Sequence, residues 1–216
     1  MVGGAARVLA AVGVASVAHV GATRWMNRWG ARGEELARTY PGDELVPEPA
    51  GSSVMAVSVG APPEAVWPWL VQIGQDRGGM YSYDRLENAI GLHIRSATEI
   101  REEWQSLAVG DVVTVVPPGW AGMEAGYAMP VARCEPPHLL VLRQSPPEHP
   151  WDAVWTFVVE PDGAGSRLIS RSRAARAPGL RGRLLAAATS LGTSVTWVMT
   201  RRMLLTLKQR AEAAPR

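Results

Sequence analysis

Apolar and polar positions change their period twice along this chain, and each change marks a new kind of element. Val66, Leu70 and Ile73 recur at spacings of four and three, with Trp67 and Trp69 beside them. This pattern predicts a helix over about Pro63 to Ile73 with a wide buried stripe. Pro63 opens it at a position where a missing N–H is harmless, and Glu64 suits the positive end of the helix dipole. After the glycine pair at 78 and 79, Tyr81 to Gly91 reads as a second short helix, with Ser82 or Asp84 as its cap. Beyond Leu107 the period falls to two. Strands are predicted at Val54 to Val59, Asp111 to Val116, Tyr127 to Cys134, His138 to Arg143, Trp151 to Glu160 and Arg167 to Arg173, separated by proline- and glycine-rich breakers. Strands joined by short turns imply an antiparallel sheet. Leu184, Ala188, Leu191, Val195 and Val198 then return to helical spacing, and Met199, Met203 and Leu207 carry the stripe on to about Ala213. One face of this long helix must be buried.

The fold class is therefore α+β: one strand, two short helices, a run of antiparallel strands and a long C-terminal helix. An apolar helix precedes them. Val8 to Thr23 carries no charge and is flanked by Arg7, Arg24, Trp25, Arg28 and Trp29, side chains that suit a membrane interface. Its apolar run of about 16 residues falls short of the roughly 20 that a spanning helix needs. A membrane anchor, a cleaved signal ending near Ser16 and Ala18, and a helix docked on the domain all remain open. Association with a membrane through residues 8–29 is the expectation, with a cytoplasmic location otherwise. From Gly33 to Ser53 prolines and acids replace the apolar periodicity, which reads as a linker. The expected organisation is residues 1–32 as the apolar helix, 33–53 as the linker and 54–214 as the folded domain.

Composition adds mainly exclusions. At 216 residues, 47% hydrophobic, the chain can enclose a sizeable core in one domain. A net charge of +2 with scattered basic residues argues against a nucleic-acid partner. The single cysteine, Cys134, forbids an internal disulfide. His19, His93, His138 and His149 have no metal-ligand spacing, and neither phosphate-binding glycine motif nor nucleophile elbow is present. No metal and no cofactor are expected.

The order of elements, together with APPEAVWPWLVQIG, GGMYSYDRLEN, EEWQ, the VGD turn and RLISRSR, resembles the bacterial polyketide cyclase/dehydrase-type branch of the START-like, or SRPBCC, superfamily. The resemblance spans about Ser53 to Glu212. It implies a helix-grip fold, in which a curved antiparallel sheet of about six strands wraps the C-terminal helix around an apolar cavity. It does not choose an activity, because the superfamily includes lipid carriers, cyclases, hydroxylase subunits and co-chaperones.

On such a sheet, alternation aims Trp151, Ala153, Trp155, Phe157 and Val159 at the cavity and leaves Asp152, Thr156 and Glu160 in solvent. Leu168, Ser170 and Ser172 share one face of the next strand. Arg167, Ile169, Arg171 and Arg173 share the other, read as a solvated outer surface. Arg143 either reaches the cavity rim with Leu139 and Val141 or snorkels from a strand end. Met203 and Met199 suit a flexible apolar ligand. Tyr81 and Tyr83, with Trp104 nearby, are candidate ligand contacts at the cavity mouth. Asp84 and Glu87 are either a general acid or base beside those tyrosines or ordinary capping and surface groups. The expected function is binding of a hydrophobic small molecule such as a lipid, isoprenoid or polyketide-like compound. The alternatives are a cyclase or dehydratase using Tyr81, Tyr83, Asp84 and Glu87, and a co-chaperone-like interaction domain.

Overall fold

The computed structural model describes residues 18–145, 152–175 and 179–213, with side chains from Ser194 onward in the last span. Most of the apolar N-terminal stretch, and Trp151, lie outside these residues. Six strands form one antiparallel sheet: β1 (Pro49–Val59), β2 (Val112–Val116), β3 (Tyr127–Glu135), β4 (Leu139–Gln144), β5 (Ala153–Asp162) and β6 (Gly165–Ala175). Their order across the sheet is β1-β6-β5-β4-β3-β2, so β2 to β6 form a meander and β1 closes beside β6. The α-helices after residue 30 are α1 (Gly33–Ala37), α2 (Pro63–Val71), α3 (Asp84–Ala89) and α4 (Gly179–Ala213). Helix α4 packs on α2 and β1, across one face of the sheet. This is the helix-grip arrangement.

Alternation sorts each strand between two apolar layers. Met55, Leu140, Leu142, Phe157 and Leu168 face the main core, where they meet Val66 and Leu70 of α2 and Leu204 and Leu207 of α4. Their neighbours in sequence face the other way: Val54, Ala56 and Ile169 pack with Tyr40, while Leu139, Val141 and Val154 pack with Val46. A sheet covered on both faces explains why β4 reads LLVLRQ, a nearly unbroken apolar run.

The second cover is the segment read from sequence as a linker. Residues 32–46 carry α1 and a short 3-10 turn, Asp43–Leu45, and lie across the outer face of the sheet. Tyr40 is buried and donates its hydroxyl to the Glu35 carbonyl oxygen at 2.8 Å. Gly42 has a φ of 93°, and a Cβ there would stand 2.9 Å from Val141 Cγ1, so only glycine lets the backbone pass this close to the sheet. Thr156, expected in solvent, is buried and donates to the Pro41 carbonyl at 2.9 Å. The arginine stripe of β6 is likewise not solvated along its length. Arg167 binds Glu35 through two nitrogens at 2.6 and 2.9 Å, and Arg171 and Arg173 converge on Asp43 at 2.9 and 3.3 Å. Burial pushes both carboxyls up, but the arginines and backbone N–H donors outweigh it and hold Glu35 and Asp43 below the usual carboxylate range.

The strand boundaries differ from expectation mainly in β1, which begins at Pro49 instead of Val54. Residues 18–26 are helical and lead into Asn27 and Trp29, whose carbonyls accept the N–H groups of Val54 and Ala56 at 2.8 and 3.1 Å. These bonds cover part of the free edge of β1. Among the described residues no helix is long and apolar enough to cross a membrane.

Candidate functional site

Between the sheet and α4 lies a cavity of about 570 Å³, bounded at one end by the loop from Met80 to Ile94. β1, β5 and β6 supply Ser53, Met55, Trp155, Ser170 and Ser172, and β2 and β3 supply Val115, Tyr127 and Met129. Helix α4 supplies Trp197, Met199 and Met203, and the loop supplies Met80, Leu92 and Ile94. The lining passes at one end to Val195, which is 63% exposed. The surface is apolar and soft, with hydroxyls spaced along it, a composition that accepts a flexible apolar molecule. Trp155 is held in place by donating its indole N–H to Ser170 Oγ at 2.9 Å and by packing on Phe157, ring centroids 4.7 Å apart.

The carboxyl in this lining belongs to Glu87. Helix α3 is inverted relative to the usual amphipathic pattern: Leu86 and Ile90 are 59% and 58% exposed, while Glu87 is 4% exposed. The flanking residues fix that rotation. Asp84 accepts hydrogen bonds from the Ser96 N–H at 2.8 Å and its hydroxyl at 2.6 Å, and Asn88 clasps Ile94, accepting its N–H at 2.6 Å and donating to its carbonyl at 2.9 Å. The Leu92 N–H closes the loop onto the Glu87 carbonyl at 3.0 Å. Glu87 is carried inward between these two clips. Its Oε2 has no hydrogen-bond partner, and burial, then the neighbouring Asp84, pushes its carboxyl up to about 7.

The structure separates the other predicted site residues. Tyr81 does not line the cavity: it is fully buried beneath α2, where its hydroxyl accepts from Gln72 Nε2 at 2.7 Å and its ring meets Trp69 edge-on. Burial pushes this hydroxyl up to about 12. Its φ of 53° also explains why α3 starts at Asp84 and not at Tyr81. Gly79, just before it, has a φ of 72° and would set a Cβ 2.8 Å from the Arg95 carbonyl oxygen, so the glycine permits the tight loop. Tyr83 lies under the Arg202 guanidinium, 5.6 Å from the ring centroid. Trp104 sits outside the cavity, its carbonyl accepting from Arg77 at 2.5 Å and its ring beneath Arg101. Arg143 shares a strand face with Leu139 and Val141 as expected, but that is the outer face, and it pairs with Asp152 at 3.3 Å. Phe157 is core behind Trp155. Of the residues expected at the cavity or at a ligand, Glu87, Ala153, Trp155, Met199 and Met203 line it.

Met80, Leu92 and Ile94 carried no usable signal in the sequence, because they sit on a loop without periodicity. Ser170 and Ser172 did carry one, since they alternate with Ile169 and Arg171. A second hollow of about 970 Å³ lies beside Gly60, Pro62 and the end of α4. Two of its charged groups pair with each other: Glu212 accepts the Gly60 N–H at 2.6 Å and Lys208 Nζ at 2.8 Å, and Lys208 also reaches the Ser58 carbonyl, while Asp162 pairs with Arg32. Among the described residues no cluster of three or more metal-ligating side chains occurs.

No family model matches the chain, and no curated protein matches it. Solved structures with a similar arrangement include a Mesorhizobium loti protein, at 16% identity over 77% of this chain and 100% of that one, with a TM-score of 0.41. A Chromobacterium violaceum protein matches at 12% identity over 76% of this chain and 98% of its own, with a TM-score of 0.43. The Aha1 dimer of Colwellia psychrerythraea matches at 13% identity over 76% and 97%, with a TM-score of 0.42. These likenesses carry no ligand or activity over to this chain.

Proposed function

We propose that this protein binds a hydrophobic small molecule, of lipid, isoprenoid or polyketide-like character, in the cavity between the sheet and α4. The supporting observation is the cavity itself: about 570 Å³ of space between the sheet and α4, lined by Met80, Leu92, Met129, Trp155 and Met203. Interiors pack to crystal-like density, so an apolar volume of this size is a cost that a ligand offsets. A membrane is the natural reservoir of such a molecule, and Trp25, 60% exposed and 5.4 Å from Trp197 at the cavity, supports collection of the ligand at a lipid surface.

The cyclase or dehydratase alternative rests on Glu87 alone, because Tyr81, Tyr83 and Asp84 do not share its cavity. Holding a ligand is the function that the assembled groups support best. Organic extraction of the purified protein followed by mass spectrometry should release an apolar compound, and Nile red should compete for the same space. A cavity-filling Ser172→Leu variant should lose both. If the native protein yields no apolar compound and takes up no dye, the binding reading is wrong.

A further inference from the structure

Glu87 is chemically out of place in the cavity it lines. The residue is 4% exposed, and its Oε2 has no hydrogen-bond partner. No arginine, lysine or histidine is among the described residues of the lining. From the elements that surround the cavity, β1, β5, β6 and α4 present serines, threonines, tryptophans and methionines, while β3 presents the phenol of Tyr127. The charged neighbour that acts on Glu87 is Asp84 on its own helix, a group of the same sign whose oxygens are taken up by Ser96. The helix meanwhile leaves Leu86 and Ile90 in solvent, so turning it to bury a leucine and expose the acid would improve ordinary packing. A buried carboxyl oxygen without a partner is unfavourable in the empty protein, and a bound molecule would supply one to Oε2.

Two chemistries would complement it. An ionised carboxylate would take an ammonium group, whereas a protonated carboxyl would donate to a neutral oxygen. The surroundings favour the second. Burial and Asp84 both oppose ionisation, and an apolar ligand that expels water from the cavity opposes it further. An ammonium ion would also have to be desolvated in a lining whose other polar groups are neutral.

Resting on the cavity reading above, we propose that Glu87 is the specificity-determining residue of the site, donating a hydrogen bond from its protonated carboxyl to a ketone or ester carbonyl on an otherwise apolar ligand. Such a site rejects the matching hydrocarbon, which leaves the acid unpaired. Affinity for the carbonyl ligand falls as pH rises through the titration of Glu87, because the ionised carboxylate has no proton to donate.

Three probes of one skeleton test this by displacement of Nile red from the full-length protein: acetylnaphthalene, ethylnaphthalene and naphthylethylamine. Acetylnaphthalene should bind at least about tenfold tighter than ethylnaphthalene at about pH 6, a preference that shrinks by about tenfold per pH unit once the acid ionises. Glu87→Gln keeps an N–H donor, so it should retain the ketone to within about threefold and abolish the pH dependence. Glu87→Leu should bind the ketone and the hydrocarbon alike. Equal, pH-independent affinity of the native protein for ketone and hydrocarbon would overturn the Glu87 assignment while leaving the cavity reading intact. Tighter binding of the amine as pH rises would overturn it in favour of an ion pair. Failure of all three probes and of Nile red would remove the cavity reading, and the assignment with it. Should Glu87→Gln not fold, the pH profiles of the native protein still separate these results.

Discussion

Glu35 and Arg167 meet as a two-point ion pair, 2.6 and 2.9 Å between heavy atoms, with side chains only 3% and 6% exposed. Glu35 also accepts the Arg32 N–H at 2.6 Å, while Arg167 donates to the Ser58 hydroxyl at 3.0 Å and to the Gly30 carbonyl at 2.5 Å. The pair fastens the 32–46 segment to β6. Removing one partner strands a buried charge, so Arg167→Met or Glu35→Leu should each cost about 3 kcal/mol or more in denaturant unfolding. The double variant should recover a large part of that loss, since two apolar groups at the same place leave nothing unpaired. Equal losses for the single and double variants would show that the segment is held by its other contacts.

The same cover makes the protein acid-sensitive in a calculable direction. Glu35 and Asp43 have folded-state values below their ordinary 4.5 and 3.8. Their contribution is therefore present above those values and is lost as pH falls through the depressed folded-state values. Urea midpoints should decline on acidification below about pH 4.5, and Glu35→Gln should flatten the part of that decline due to this site.

Glu87 acts in the opposite sense. Its folded value of about 7 lies above the ordinary 4.5, so the folded state holds the proton more tightly than the unfolded chain does. Stability from this group is present at low pH and is lost as pH rises between those values. Glu87→Gln should leave stability near pH 5 little changed and raise it at about pH 8 by about 1–3 kcal/mol, seen as a higher thermal midpoint. A ligand that pairs with the acid should shift the native profile toward that of the variant.

Cavity and core positions should separate in their effects on binding. Met203→Ala removes a fully buried side chain at the cavity wall and should cost about 2–4 kcal/mol while enlarging the ligand space. Tyr81→Phe removes a hydroxyl that accepts from Gln72, and should cost about 1 kcal/mol with ligand affinity unchanged, because Tyr81 stands outside the cavity. Nile red titration beside thermal unfolding distinguishes the two, and a binding loss in Tyr81→Phe would return that tyrosine to the ligand site.

What the chain determines by itself is local. The period-four stripe of α2, the two-residue alternation of β5 and β6 and the glycine and proline breakers between strands follow from backbone geometry and side-chain character. They place the helix-grip elements to within a few residues, and alternation alone puts Trp155, Ser170 and Ser172 on one side of the sheet. Tertiary structure decided what lies against each face. The arginines of β6 have the spacing of a solvated edge, and only the folded chain brings Glu35 and Asp43, about 130 residues away in sequence, onto them. The nearest legible sign was the match between acids in a proline-rich stretch and a row of basic residues on a late strand. Helix α3 shows the limit most sharply. Six residues carry too little periodicity to orient a helix, and DRLENA read in isolation would put Leu86 inside and Glu87 outside. The clips from Asp84 to Ser96 and from Asn88 to Ile94 turn it the other way, because hydrogen bonds to the loop 6 to 12 residues further on outweigh the burial of one leucine and bring a carboxyl to the cavity.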